Sequence, residues 1–342
     1  MNYVIIIIIL FIIYLIYQNT NTNIDENFSN DILSQKAPHP YRYFKDENNN
    51  RLPIVAITAF MRSDKDKELY YDFINNGIKV IGVTAYKTFP IKITDPSEDK
   101  YHISDNFDYH KNINIWLTCM KDIKLYNFNE SHKTIDMSES DFYNVENENL
   151  KKDKKYDFIY ICGKDHGKCP LDGWNAINRN YNLALKCFPI MVNEYKLKGL
   201  CVGRIDCDLS EYGDSIETTD FLKWDILQDK MRESKFLFIP NIYDASPRVV
   251  AECIIKDVPV LMNNNIICGF KYIDYETGEY FIDEYNIRNA LDNLLNKINK
   301  IKPSKWWNEN YGIEKSSINL RNFLYNFYPD ILSNIKQVSM VI

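Results

Sequence analysis

Short apolar runs alternate along most of the chain with segments whose apolar positions recur every three or four residues. In the first half, PIVAITAF at 53–60 is a β-branched run that predicts a strand, KELYYDFINNG at 67–77 has helical spacing and ends on a glycine, and IKVIGVTAY at 78–86 predicts the next strand. Strand, helix, glycine turn and strand in that order make a βαβ unit, which implies a parallel sheet. The pattern blurs beyond it, through NINIWLTCM, and the KKDKK run at 151–155 breaks the chain.

The second half is more regular. Strands are predicted at YDFIYICG (156–163), KGLCVGR (198–204), KFLFIPN (235–241) and VPVLMN (258–263). Helices are predicted between them at 178–196, 218–234 and 246–256. This rhythm predicts a doubly wound α/β domain. The expected fold is therefore two Rossmann-like domains facing a cleft, a smaller one at 51–150 and a larger one at 156–300, followed by C-terminal helices at 301–342. Ligands of open α/β sheets sit beyond the carboxyl ends of the strands, so the loops after YICG, CVGR and FIPN are where chemistry belongs.

The N-terminus departs from this pattern. Residues 3–17, YVIIIIILFIIYLIY, are apolar or aromatic throughout, with Tyr3 and Tyr17 at the ends, where interfacial aromatics belong. As a helix they span roughly 22 Å, short of a hydrocarbon core of about 30 Å. No basic start and no A-x-A cleavage pattern are present, which favours an uncleaved signal anchor at 1–18 over a cleaved signal peptide or a core element. Residues 19–50 are polar and aperiodic and predict a stalk. A single-pass membrane protein follows as the expectation, in type II orientation, facing an ER- or Golgi-like lumen or set in a viral membrane.

Composition narrows the function classes. A net charge of −6 and a pI near 5.5 provide no concentrated basic face, so nucleic acid is not an expected partner. Of the eight cysteines, none forms a CxxC pair or zinc spacing, and several sit inside apolar runs, so no disulfide framework is expected. The sequons at Asn27 and Asn129 matter only in a glycosylating lumen.

The stretch DASPRVVAECIIKDVPVL at 244–261 concentrates the candidate chemistry. Ser246 suits an N-cap and Pro247 the first helical position, so a helix starts just after the strand 235–241. Its free amides and partial positive charge form a seat for a diphosphate. Glu252 lies about 7.5 Å further along the helix axis, where its carboxylate can accept hydroxyl hydrogen bonds of the kind a ribose offers. Asp244 precedes the cap, where an attached sugar reaches.

These residues resemble the donor-binding domain of retaining GT-B glycosyltransferases of the family 4 type. That family carries an acid, seven residues and a glutamate ahead of a G-x-PV strand; here Asp244, Glu252 and KDVPVL stand in that arrangement. The likeness extends from about 156 to 284, through YICGKDHGK, CVGR and the ETGEYF turn. It implies that Asp244 contacts the donor sugar and Glu252 the nucleotide ribose, the pair on which catalysis rests. It also implies that Lys164, with Lys168 or Arg179, clamps the diphosphate beside Ser246. Where the family has a glycine-rich E-G-F-G, this chain has D-A-S-P-R, and Arg248 substitutes a guanidinium for close backbone approach. The first domain has TAFMRSDK where a glycine-rich loop often stands. Similar proteins occur in large DNA viruses, in keeping with the Asn and Ile bias.

The resemblance implies a metal-independent, retaining hexosyltransferase that uses a nucleotide-sugar as substrate, needs no further cofactor and acts on a glycan, lipid or protein acceptor. Two alternatives stand beside it. One is a membrane-tethered nucleotide- or sugar-binding protein without turnover. The other is a metal-dependent GT-A enzyme, for which Asp206 and Asp208 of IDCD supply a DxD pair after an apolar strand. An NAD-dependent oxidoreductase is disfavoured because no G-x-G-x-x-G follows any strand. His166 is a further candidate donor contact, whereas Trp306 and Trp307 read as packing.

Overall fold

The computed structural model of the chain describes residues 37–84, 88–91, 106–145, 152–165, 169–244 and 248–340. The segment expected as an anchor at 1–18, and the expected stalk up to residue 36, lie outside them. The expected single-pass membrane localisation is corrected: among the described residues, no helix is long and apolar enough to cross a membrane.

Two six-stranded sheets organise the molecule. The first contains β1 (Tyr41–Lys45), β2 (Arg51–Ile57), helix α1 (Asp64–Asn75), β3 (Lys79–Val83), the short α2 (Tyr109–Asn112), β4 (Ile115–Thr118) and β5 (Lys133–Asp136). The strands β2 to β5 are parallel and adjacent in chain order, as the βαβ reading requires. Ser63 starts α1 through a capping box with Asp66. The helix buries Tyr70 and Phe73, and Phe73 meets Tyr41 edge-on at 5.2 Å.

In the second sheet every strand is parallel: β6 (Tyr156–Ile161), β7 (Gly199–Val202), β8 (Ile216–Thr219), β9 (Ser234–Ile239), β10 (Val260–Asn263) and β11 (Gly278–Phe281), in spatial order β11-β10-β9-β6-β7-β8. Helices cover both faces of such a sheet, which is why its strands read as unbroken apolar runs. The helix expected at 178–196 divides into α3 (Trp174–Asn178) and α4 (Tyr181–Pro189), because Asn180 takes a left-handed φ of 48° between them. The helix expected at 218–234 starts later, as α5 (Trp224–Arg232). Thr218 and Thr219 are instead strand residues paired with Cys201 and Val202, a place that suits their branched Cβ. Helix α6 (Arg248–Ile254) follows β9, and α7 (Ile287–Lys297) follows β11.

The C-terminal helices α8 (Pro303–Asn310), α9 (Ile313–Tyr325) and α10 (Pro329–Leu332) lead to β12 (Ser339–Met340), which pairs with β1. Leu320, Leu324, Leu332, Val338 and Met340 share a core with Phe44, Ile54 and Ile81. The chain thus ends in the domain where it began. Residues 41–45, assigned to a polar stalk from their surroundings in the sequence, are a strand with Tyr41 and Phe44 fully buried. On one side this strand pairs with β12, some 300 residues away, a partner that no local pattern announces.

Polar contacts join the two domains. Met120 and Cys268 form an antiparallel bridge, and Lys121 donates to the Asn264 carbonyl at 2.7 Å. Asp141, almost wholly buried, accepts from Tyr272 at 2.5 Å and from Lys271 at 2.8 Å. Trp307, read as packing, is fully buried against Tyr272 and Tyr311, and its indole N–H donates to the Tyr143 carbonyl at 2.7 Å.

Candidate functional site

The carboxyl ends of β6, β7 and β9 meet along one edge of the second sheet, and of the predicted site residues Lys164, Arg179 and Asp244 lie there. β6 releases Cys162, Gly163, Lys164 and Asp165; β7 releases Gly203, Arg204 and Asp206. The two exits press together closely enough to require a glycine. Gly203 has φ +90°, and a Cβ on it would lie 2.4 Å from the Cys162 carbonyl oxygen.

Arg204 is the most buried cation of this edge, with 1% of its side chain exposed. Its guanidinium donates to Asp165 Oδ2 at 2.9 Å and to the Cys162 sulfur at 3.0 and 3.1 Å, and it lies over the Tyr181 ring at 4.7 Å. Asp165 also accepts from the backbone N–H groups of Asn175 and Ala176, at 2.8 and 2.9 Å, in the first turn of α3. Burial pushes the Asp165 carboxyl up, but these amides and Arg204 outweigh it and hold the pKa below the ordinary carboxylate value. Sequence reasoning missed both residues. Asp165 and Arg204 stand 39 positions apart, and only their following predicted strands marked them.

The same two loops are joined by a disulfide, Cys169–Cys207, with a Cα–Cα distance of 5.3 Å. This corrects the expectation of no disulfide: the cysteines are 38 residues apart in the chain, and adjacency arises only because β6 and β7 are neighbours. The other six cysteines are buried thiols.

Lys164 is exposed and paired with Asp206, which raises its pKa above the ordinary lysine value. Asp208 accepts from the Ser210 N–H at 3.1 Å and hydroxyl at 2.6 Å, closing a turn. The two carboxylates of IDCD therefore have different partners. Among the described residues, no group of three or more His, Cys, Asp and Glu side chains is arranged to hold a metal ion.

Arg179, at the end of α3, pairs with Asp244 beyond β9. Asn241 also donates to Asp244 at 3.0 Å, and Asn178 anchors the same loop, its carbonyl accepting from Ile242 and Tyr243 at 3.3 and 3.4 Å. Asp244 is 8% exposed. A cation and an amide thus compensate the burial of this carboxylate. Glu252, half-buried on α6, accepts from Gln228 Nε2 of α5 at 3.3 Å. Arg248 opens α6, exposed, one turn before Glu252, and it hydrogen-bonds Tyr143 of the interdomain connection. Its observed partner is thus a tyrosine of the connecting segment, and that contact does not involve the β6 and β7 loops. Lys168, Ser246 and His166 lie outside the described residues.

The structure brings Arg179 to Asp244 and sets Lys164 beside the Arg204–Asp165 pair. Glu252 stands apart from them with Gln228. No family model and no curated protein matches the chain. Solved structures do. A lipopolysaccharide outer core galactosyltransferase in its apo form aligns with a TM-score of 0.54 at 11% identity, covering 88% of this chain and 79% of its own. A glycosyltransferase from Rickettsia africae aligns at 0.52 with 14% identity, covering 82% and 77%. A pneumococcal O-GlcNAc transferase in complex with UDP and GlcNAc aligns at 0.51 with 10% identity, covering 80% of this chain; this chain spans 55% of that protein. Likenesses at this identity establish a shared fold, the GT-B arrangement of two parallel-rich α/β domains.

Proposed function

We propose that this chain is a glycosyltransferase that moves a hexose from a nucleotide-sugar donor to a glycan, lipid or protein acceptor, with retention and without a metal. The observation that carries the reading is the Arg179–Asp244–Asn241 cluster at the carboxyl edge of the parallel sheet, eight positions ahead of Glu252 on the following helix. Asp244 accepts from hydroxyls of the donor sugar, and Glu252 accepts from the ribose. Lys164 leaves Asp206 for the diphosphate, a change that costs little because the pair is exposed. Lys168, Ser246 and Arg248 complete the diphosphate seat.

The residues supply orientation and charge compensation in place of a nucleophile. The departing diphosphate takes the acceptor's proton on the face where the new bond forms. The pneumococcal relative in complex with UDP makes uridine diphosphate the first probe for this chain. Thermal-shift and calorimetric titration with UDP, GDP, their glucose conjugates and NAD, each with and without manganese, tests the reading. Binding of a nucleoside diphosphate without manganese is the expected result. Absence of binding by every diphosphate overturns the donor site, and a strict manganese requirement returns the function to the DxD pair.

A second reading has its own observation. Asp244 and Lys164 are each neutralised by a partner within the chain, as a binding protein without turnover permits. Release of free sugar from a bound nucleotide-sugar separates the two readings, since only the enzyme cleaves its donor.

A further inference from the structure

Gln228 stands on α5 with 2% of its surface exposed, and its amide orientation is determined by chemistry. Its partner, Glu252 Oε2 at 3.3 Å, is a carboxylate that only accepts, so Nε2 must face it. The amide oxygen Oε1 is thereby left buried without a hydrogen-bond partner. An unpaired buried acceptor is unfavourable, and a methionine or leucine would fill the same space without it. Packing between α5 and α6 therefore does not account for a glutamine here. What the glutamine adds is one directed N–H bond that holds the Glu252 carboxylate.

We propose that Gln228 is the positioning residue for Glu252: it fixes the carboxylate in the orientation that accepts ribose hydroxyls, and so sets the preference for ribonucleoside over 2′-deoxyribonucleoside diphosphates. The proposal rests on the reading of Glu252 as the ribose contact. A neutral amide suits the task, because it orients the carboxylate while leaving its full negative charge available to the ligand. Arg248 lies one turn before Glu252 on its own helix, and Lys256 lies in the turn just after that helix, where its ammonium donates to the Glu252 carbonyl at 2.9 Å. Tyr143 faces it from the connecting segment, with Glu139 beside that tyrosine. Asp225 and Arg232 flank Gln228 on α5, and Lys305 and Glu309 belong to the exposed pair on α8, which packs on α6.

The test is calorimetric titration of the full chain with UDP and 2′-deoxy-UDP at about pH 5 and about pH 8, for wild type, Gln228→Met, Gln228→Glu and Glu252→Gln. Gln228→Met is expected to melt at or above the wild-type temperature yet bind UDP about tenfold more weakly, with the ribose preference reduced. Gln228→Glu sets two carboxylates together, which share a proton when acid and repel when both ionise. Its UDP affinity is expected to approach wild type near pH 5 and to fall near pH 8, a profile that loss of packing alone does not produce. This arm carries the test if the methionine variant fails to fold. Unchanged UDP affinity in Gln228→Met, or a flat pH profile in Gln228→Glu, with Glu252→Gln impaired, overturns the positioning role and leaves the donor reading intact. Unchanged binding in Glu252→Gln, or none in wild type, overturns the ribose contact and the proposal with it.

Discussion

Asp165→Asn is the sharpest perturbation of this sheet edge. The wild-type carboxylate accepts three hydrogen bonds, from the Asn175 and Ala176 amides and from Arg204, and every one of these groups is a donor. An asparagine of the same shape presents one oxygen and one NH2, so at least one donor is turned against another donor. The substitution also strips the counter-charge from a guanidinium whose side chain is 1% exposed. Removing one partner of a buried pair costs about 3–5 kcal/mol, and the retained thiol contacts of Arg204 favour the lower end. For a domain of this size, about 3 kcal/mol lowers the melting temperature by roughly 6–12 °C. Thermal unfolding followed by tryptophan fluorescence reads the shift, with Trp174 at the start of α3 close to the lesion. The pH dependence carries a sign. Because the folded pKa of Asp165 is depressed, its contribution is complete above the unfolded carboxylate pKa of about 3.9 and is lost as pH falls through the folded value. The gap between wild type and variant should therefore close below about pH 4. The double variant Asp165→Asn with Arg204→Met should recover part of the loss. A shift under about 2 °C in the single variant, or a gap that stays constant into acid, refutes the argument.

Three further outcomes follow from the same geometry. Asp206→Asn releases Lys164 and should tighten UDP binding about twofold or more, an effect that fades at high salt; calorimetry at two ionic strengths measures it. Gly203→Ala should destabilise by at least about 2 kcal/mol in urea unfolding, since the residue keeps a left-handed φ and its Cβ meets the Cys162 carbonyl. Cys169→Ser with Cys207→Ser should lower stability by roughly 3–4 kcal/mol, because the bridge closes a loop of 38 residues; the same loss should appear in wild type on adding a thiol reductant.

Four strands of the second sheet were legible because a parallel sheet covered on both faces leaves uninterrupted apolar runs, and 156–163, 198–204, 235–241 and 258–263 each coincide with an observed strand to within a few residues. The strand Ile216–Thr219 was not, since a four-residue edge strand beside a helix of mixed polarity carries no period long enough to distinguish the two. Of the candidate site, Asp244 and Glu252 were singled out through their spacing and Lys164 through its place after a strand. Arg204, Asn241 and Gln228 were quoted only as parts of elements. Nothing in a single sequence separates them from ordinary strand-exit or helix residues.

The sequence by itself determined the class of fold and four of the six strands of the second sheet, and it pointed to the loops at their carboxyl ends as the candidate site, because these depend on local hydrophobic period and on rules of α/β chirality. Tertiary structure alone decided the rest. It paired Arg179 with Asp244 and Arg204 with Asp165, closed Cys169 on Cys207, set Gln228 against Glu252, and returned residues 339–340 to the strand at 41–45. Each of these is a contact between segments brought together by strand order. The distance between two strand exits is settled by which strands are neighbours in the sheet, a quantity that local pattern does not contain.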